Sequence, residues 1–278
     1  MTFKVCPGIG DNIWLFMKLI NSGKKFYFHI QDGNPRRSLP IFDMLPQLVN
    51  NAEYVEIKGG YKAIKANNIA RRNKRFIDIS EGSHFLSANE HLENGFRIEN
   101  FLPDLATSYR LHYDLKGAKS GLQPGKKYIG IYGSSYSTSR AWGFWQADKW
   151  AELCKLIYAY NPEYRFVIIG ADFDIDMNTE LSGILSAANI PHINKTGRSL
   201  QETAAILQDL HYFFAFPSGL PILAHTLGKP LTMFYPPHLS KMINAWAKPE
   251  DIASGFYNAC LFCEPGPIFE WVKVGGWI

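Results

Sequence analysis

The sequence predicts an α/β protein with parallel sheets, and three observations carry that prediction. Short apolar runs of strand length alternate with longer amphipathic stretches through most of the chain. The alternation starts twice, at Thr2 and at Tyr128, each time as strand, glycine-bearing loop and helix. Between the two starts lies Lys116–Lys127, K-G-A-K-S-G-L-Q-P-G-K-K, which carries three glycines and a proline and reads as a linker. The expected architecture is two Rossmann-like domains, residues 1–120 and 121–278, facing across a cleft. Ligands bind such sheets at the carboxyl ends of their strands. The last residues are expected to pack back on the first domain.

In the first half the predicted strands are Thr2–Cys6, Lys25–Ile30, Tyr54–Ile57 and Arg75–Ile79. An amphipathic segment, Ile13–Ile20, follows the first strand, and further helical stretches are Ser38–Asn50 and His84–Glu93. In the second half Tyr128–Tyr132 reads as a strand, 133–140 as a Gly/Ser/Thr loop and Trp145–Tyr160 as a helix. Phe166–Ile169 is a buried-type strand closed by Gly170. Asn178–Ala188 and Leu200–Asp209 are helical, Tyr212–Phe216 is a strand, Leu220–Leu227 a helix and Leu231–Tyr235 a strand.

Composition narrows the class. The chain has 278 residues, 46% of them hydrophobic and 19% charged, as in an ordinary globular protein. No apolar run approaches the roughly 20 residues that span a bilayer. Pro7, Gly8 and Gly10 interrupt the apolar N-terminus, which argues against a signal peptide. Four cysteines make no disulfide framework in a chain of this length, which fits a reducing compartment. The net charge of +4 is too mild to argue nucleic-acid binding alone. These features predict a cytoplasmic protein, with peripheral attachment to the inner membrane as a further expectation.

Chemistry concentrates in a few places. Cys6 to Trp14, C-P-G-I-G-D-N-I-W, turns from strand into helix, and Gly8 and Gly10 permit close backbone approach. Asp11 falls at or near the helix N-cap, where its carboxylate either caps free amides or faces a substrate. Ile13 stands where the dinucleotide fingerprint needs a third glycine, and no Gly-Lys-Ser/Thr follows, so redox-cofactor and Walker-type readings are poorly supported. Gly133-Ser134-Ser135 through Arg140-Ala141-Trp142 offers hydroxyls, amides and a permanent charge to a diphosphate, or is a solvated loop with arginine over an indole. Asp172, Asp174 and Asp176 alternate after Gly170. Met177 and Gly183 stand where a calcium loop needs glycine and glutamate, which leaves a magnesium site or acidic residues in a first helical turn. Ser199 in Thr196-Gly197-Arg198-Ser199 reads as an N-cap, and Ser218-Gly219 opens another anion-receptive helix N-terminus. His225 reads as a packed helical histidine. The run from Lys58 to Arg75 carries seven basic and no acidic residues, either a solvated face or a surface for an anionic glycolipid or nucleic acid. Cys260-Leu-Phe-Cys263 reads as two packed thiols rather than half a zinc site.

In order and spacing these landmarks resemble the ADP-heptose glycosyltransferases of lipopolysaccharide core synthesis, a family of GT-B fold. Gly10-Asp11 matches the family's Gly-Asp turn, and Ser134-Ser135 through Arg140-Ala141-Trp142 matches its hydroxyl loop, basic residue and tryptophan. Gly170 closes the buried strand, Gly197–Leu200 matches the Gly-x-Ser-Leu loop, and Ser218-Gly219 matches the turn opening the donor helix. The chain departs from the pattern where Pro217 replaces an aspartate, Ile222 a histidine and Arg140 the commoner lysine. The resemblance implies an inverting glycosyltransferase using a nucleotide-diphosphate sugar, with Asp11 as general base. Donor contacts fall to Gly10, Ser134, Ser135, Arg140, Gly170, Gly197, Ser218 and Gly219, with neither metal nor cofactor required. The acceptor would be a glycan, a glycolipid or a modified nucleobase in DNA. A sugar-nucleotide epimerase or hydrolase on the same fold, and a non-catalytic nucleotide-sugar-binding protein, are the alternatives.

Overall fold

In the computed structural model, residues 2–5, 8–23, 26–30, 40–41, 43–45, 52–54, 95–133, 145–235, 237–261 and 264–278 are described. The chain divides into two compact units, Met1–Gly117 and Ala118–Ile278.

The first unit holds a parallel sheet of β1 (Thr2–Val5), β2 (Phe26–Ile30) and β3 (Ala52–Tyr54), in that order. Helix α1 (Ile9–Leu19) follows β1 and is buried from Asn12 to Leu19. It starts a turn earlier than the expected Ile13. Lys18 lies on this buried helix, and its ammonium donates to the carbonyl oxygens of Leu105 (2.7 Å) and Glu99 (3.2 Å) and to Thr107 Oγ1 (2.9 Å). Burial lowers its pKa, opposed by the Glu99 carboxylate. Ser108 N–H donates to Met17 O at 2.6 Å, so residues 99–108 are strapped along α1. The expected strand from Tyr54 is found at Ala52–Tyr54. The expected elements Arg75–Ile79 and His84–Glu93 lie outside the described residues, as does most of Ser38–Asn50, of which Ile41, Met44 and Leu45 are buried.

The second unit is built on six parallel strands. They are β4 (Lys127–Tyr132), β5 (Tyr164–Ile168), β6 (His192–Asn194), β7 (Tyr212–Ala215), β8 (Leu231–Tyr235) and β9 (Tyr257–Leu261). Their spatial order is β6-β5-β4-β7-β8-β9. The helices are α2 (Ala147–Tyr160), α3 (Ile175–Ala187), α4 (Leu200–Asp209), α5 (Gly219–Thr226), α6 (Pro249–Ala253) and α7 (Pro265–Val274). Side chains alternate across a strand. Ile129, Ile131, Tyr212 and Phe214 therefore share one face, packed with Trp150, Leu153, Cys154 and Ile157 of α2, Leu181 and Leu185 of α3, and Ile268 and Val272 of α7. The other face, that of Gly130 and Phe213, meets Leu210 at the end of α4. A strand buried on both faces reads as a continuous apolar run, which is why β7 and β8 were legible in advance. Helix α4 is opened by a capping box: Glu202 N–H donates to Ser199 Oγ and Ser199 N–H to the Glu202 carboxylate.

Candidate functional site

Numbered along its own sheet, the strand order of the second unit is 3-2-1-4-5-6, the doubly wound arrangement. Its switch point lies between β4 and β7, which pair in parallel but whose chains depart in opposite directions. The carboxyl ends of these two strands are therefore where a ligand site is expected. Phe216 N–H donates to Tyr132 O at 3.4 Å and holds the residue after β7 against the end of β4.

Gly133 ends β4. A Cβ there would lie 2.6 Å from Trp150 Nε1 and 2.6 Å from Met177 Cε, so only glycine fits under the indole. Beyond β7, Ser218 in extended backbone is the N-cap of α5, and its hydroxyl makes no cap hydrogen bond. Ser218 Oγ is buried without a hydrogen-bond partner among the described residues, and so is the indole N–H of Trp150. Pro221 occupies the third helical position, where the missing N–H leaves no orphan donor. An uncapped helix N-terminus with unspent donors is suited to an anion. Trp150 was not among the expected site residues. A core aromatic at helical spacing carries no sequence signal that its N–H will lack a partner.

Gly170 and Gly197 meet beyond β5 and β6, where Gly197 N–H donates to Gly170 O at 2.9 Å. Gly197 adopts φ +77°, a left-handed conformation favouring glycine, and a Cβ there would lie 3.0 Å from Asp172 Oδ1. A Cβ on Gly170 would meet the Asn178 amide nitrogen and lie 2.9 Å from Asp174 Oδ2. The three carboxylates do not converge. Asp174 turns inward and accepts from Ala171 N–H at 2.7 Å, whereas Asp172 and Asp176 are exposed. Burial pushes Asp174 up to about 6, partly offset by the Ala171 hydrogen bond. Asn178 donates to Ile169 O (3.3 Å) and Thr196 Oγ1 (2.8 Å), while its Oδ1 is buried without a partner among the described residues. Among the described residues, no group of three or more His, Cys, Asp or Glu side chains could hold a metal ion.

In the first unit Gly8, rather than Asp11, is the N-cap of α1, and Asp11 occupies the third helical position beside Gly10. A Cβ on Gly8 would meet Asp11 Oδ2, so the half-buried carboxylate folds back over the turn. Asn12 Nδ2 donates to Gly8 O at 2.7 Å and closes the turn from the other side. The helix's positive end favours a carboxylate at this position.

His225 is fully buried on α5, with Nε2 2.8 Å from Asp251 Oδ2. Trp145 is buried against Trp150 and Phe234. Ser134, Ser135, Arg140, the run from Lys58 to Arg75, and Cys263 lie outside the described residues; Cys260 is on β9. Among the described residues no helix is long and apolar enough to cross a membrane.

The chain matches no family profile and no curated protein in sequence. Solved structures do match. The ADP-heptose lipopolysaccharide heptosyltransferase II of E. coli superposes over 99% of this chain and 98% of its own, with TM-score 0.60 and 13% identity. The fold is that of the heptosyltransferases. The E. coli heptosyltransferase WaaC with ADP matches over 99% of this chain and 100% of its own, at TM-score 0.54 and 12% identity. A glycosyl transferase family 9 protein from Veillonella parvula matches over 98% of this chain and 88% of its own, at TM-score 0.52 and 12% identity.

Proposed function

We propose that this protein is an inverting glycosyltransferase of two GT-B-type domains, taking a sugar from a nucleotide-diphosphate donor to an acceptor hydroxyl. The observation that carries the reading is the unspent donor set at the switch point: Ser218 Oγ, without a partner among the described residues, and α5, whose N-cap side chain makes no cap hydrogen bond. The heptosyltransferase fold supports the same reaction class. In this reading the α5 N-terminus, Ser218 and Gly219 receive the diphosphate, together with Ser134, Ser135 and Arg140, which follow β4 in sequence. Gly10, Gly170 and Gly197 keep the backbone open around the donor. Asp11 takes the proton of the acceptor hydroxyl as its oxygen attacks the anomeric carbon. The bond from that carbon to the diphosphate oxygen breaks on the opposite face, the configuration inverts, and the nucleoside diphosphate leaves. Its charge is stabilised by fixed dipoles and Arg140, without recourse to a metal. The basic run from Lys58 to Arg75 is the part of the sequence suited to an anionic acceptor, such as a glycolipid at the cytoplasmic face of the inner membrane.

The test pairs binding with turnover. A panel of nucleotide sugars is screened by thermal shift, where a ligand at 100 times its Kd adds about 2.7 kcal/mol. Transfer is then assayed with Asp11→Asn. The expected outcome is donor binding near the wild-type level with transfer abolished. A fully active Asp11→Asn enzyme removes Asp11 as base, and rapid donor turnover without acceptor replaces transfer by hydrolysis or epimerisation.

A further inference from the structure

We propose that His225 and Asp251 are a positioning pair that sets the N-terminus of α5 for nucleoside-diphosphate binding, an inference resting on the donor-site reading above. Helix α5 has only eight residues, so its orientation depends on what grips it. His225 lies seven residues beyond Ser218, close to two turns of helix and on nearly the same face. Whatever fixes the rotation of α5 at His225 therefore fixes the direction in which Ser218 and the first amides are presented.

The grip is directional. His225 Nε2 lies 2.8 Å from Asp251 Oδ2, at the third helical position of α6. The imidazole stands edge-on to Trp246 (5.2 Å, 79°) and Tyr257 (5.6 Å, 77°), which fixes its plane. Those two rings are held in turn: Trp246 Nε1 donates to Tyr235 Oη at 3.2 Å, and the hydroxyls of Tyr235 and Tyr257 are 3.2 Å apart. His225 sits in the last turn of α5 and Asp251 in the first turn of α6, the helix ends that favour a cation and an anion respectively.

Stability alone gives no reason for this pair. Apolar side chains of similar volume hold a buried contact as well as an ion pair or better, because the charged groups lose their hydration. An apolar contact is non-directional, however, whereas a hydrogen bond between two buried groups fixes both angle and register. No role of this kind was legible in the sequence, where Asp251 is one of two adjacent acidic residues in a short helix.

The test measures binding of ADP, GDP, UDP and CDP to the full chain by calorimetry, for wild type, Asp251→Ala, Asp251→Asn and Leu185→Ala. Leu185 is fully buried on α3 in the same unit and serves as a destabilising control away from α5. Asp251→Ala is expected to weaken the tightest of the four by about tenfold or more, or about 1.4 kcal/mol. Asp251→Asn, whose Oδ1 still accepts from Nε2–H, stays within about threefold of wild type, and so does Leu185→Ala at a comparable loss of Tm. Asp251→Ala binding no worse than Leu185→Ala at matched Tm overturns the proposal. If the alanine variant does not fold, Asp251→Glu replaces it, since one added methylene displaces the carboxylate: a graded loss supports the pair and wild-type affinity overturns it. A wild-type protein that binds none of the four diphosphates overturns the donor-site reading, and this proposal with it.

Discussion

Replacing Asp174 by asparagine should stabilise the protein at neutral pH and remove part of its pH dependence. The side chain is 2% exposed, and burial raises its pKa from 3.8 to about 6. Between those values the folded chain binds a proton that the unfolded chain has released, so the stabilising effect is full below about pH 4 and is lost as pH rises through 6. A displacement of about two units corresponds to about 3 kcal/mol. The asparagine carries no charge to desolvate. Its Oδ1 can keep the Ala171 N–H, and Asn178, whose Oδ1 is buried without a partner among the described residues, lies four residues on in the chain. Urea unfolding of wild type and Asp174→Asn, followed by tryptophan fluorescence from about pH 4 to 7.5, isolates the effect, because other titrations cancel in the difference. The difference should grow from near zero at the acid end to about 3 kcal/mol in favour of the variant at neutral pH. A flat difference across this range, or a variant less stable at neutral pH, refutes the account of Asp174 as a desolvated carboxylate.

Gly133→Ala should destabilise by about 1–3 kcal/mol, because the new methyl enters the space of Trp150 Nε1 and Met177 Cε; scanning calorimetry reads the loss. Lys18→Met keeps the length of the buried side chain but strips the donor from Leu105 O, Glu99 O and Thr107 Oγ1. A cost of about 1–3 kcal/mol is expected, with faster amide exchange at residues 105–108. Ser199→Ala removes the cap of α4 and should cost about 0.5–2 kcal/mol in urea unfolding, with Glu202→Gln smaller because an amide still reaches the Ser199 N–H.

Elements specified by local signals were legible in sequence. The apolar runs of β4, β7 and β8, the spacing of α2 and the capping box of α4 need only near neighbours to recognise. Short or locally ambiguous elements were not: β6 has three residues, α6 and β9 five each, and α7 opens on Pro265-Gly266-Pro267, which reads as a turn. Helix α1 begins earlier than expected because Gly8 and Gly10 read as breakers, yet Gly8 serves as the cap and Gly10 is buried within the helix. The aspartate run shows the limit most sharply. Three alternating carboxylates look equivalent in sequence, but a 3-10 turn at Asp172–Asp174 changes the phase and sends Asp174 alone into the core.

By itself, then, the sequence determined an α/β chain whose helix N-termini at Ser199 and Ser218 follow strands or loops rich in glycine and hydroxyls. It read Ser199 as an N-cap and Ser218 as the opening of an anion-receptive helix N-terminus. Only tertiary structure showed how each hydroxyl is used: Ser199 Oγ is spent on Glu202 N–H, whereas Ser218 Oγ, at the switch point between β4 and β7, is buried with no partner among the described residues. The reason is physical. A cap or a strand period is set by residues a few positions apart. Whether a polar atom is satisfied depends on strand order and on side chains brought together from distant parts of the chain.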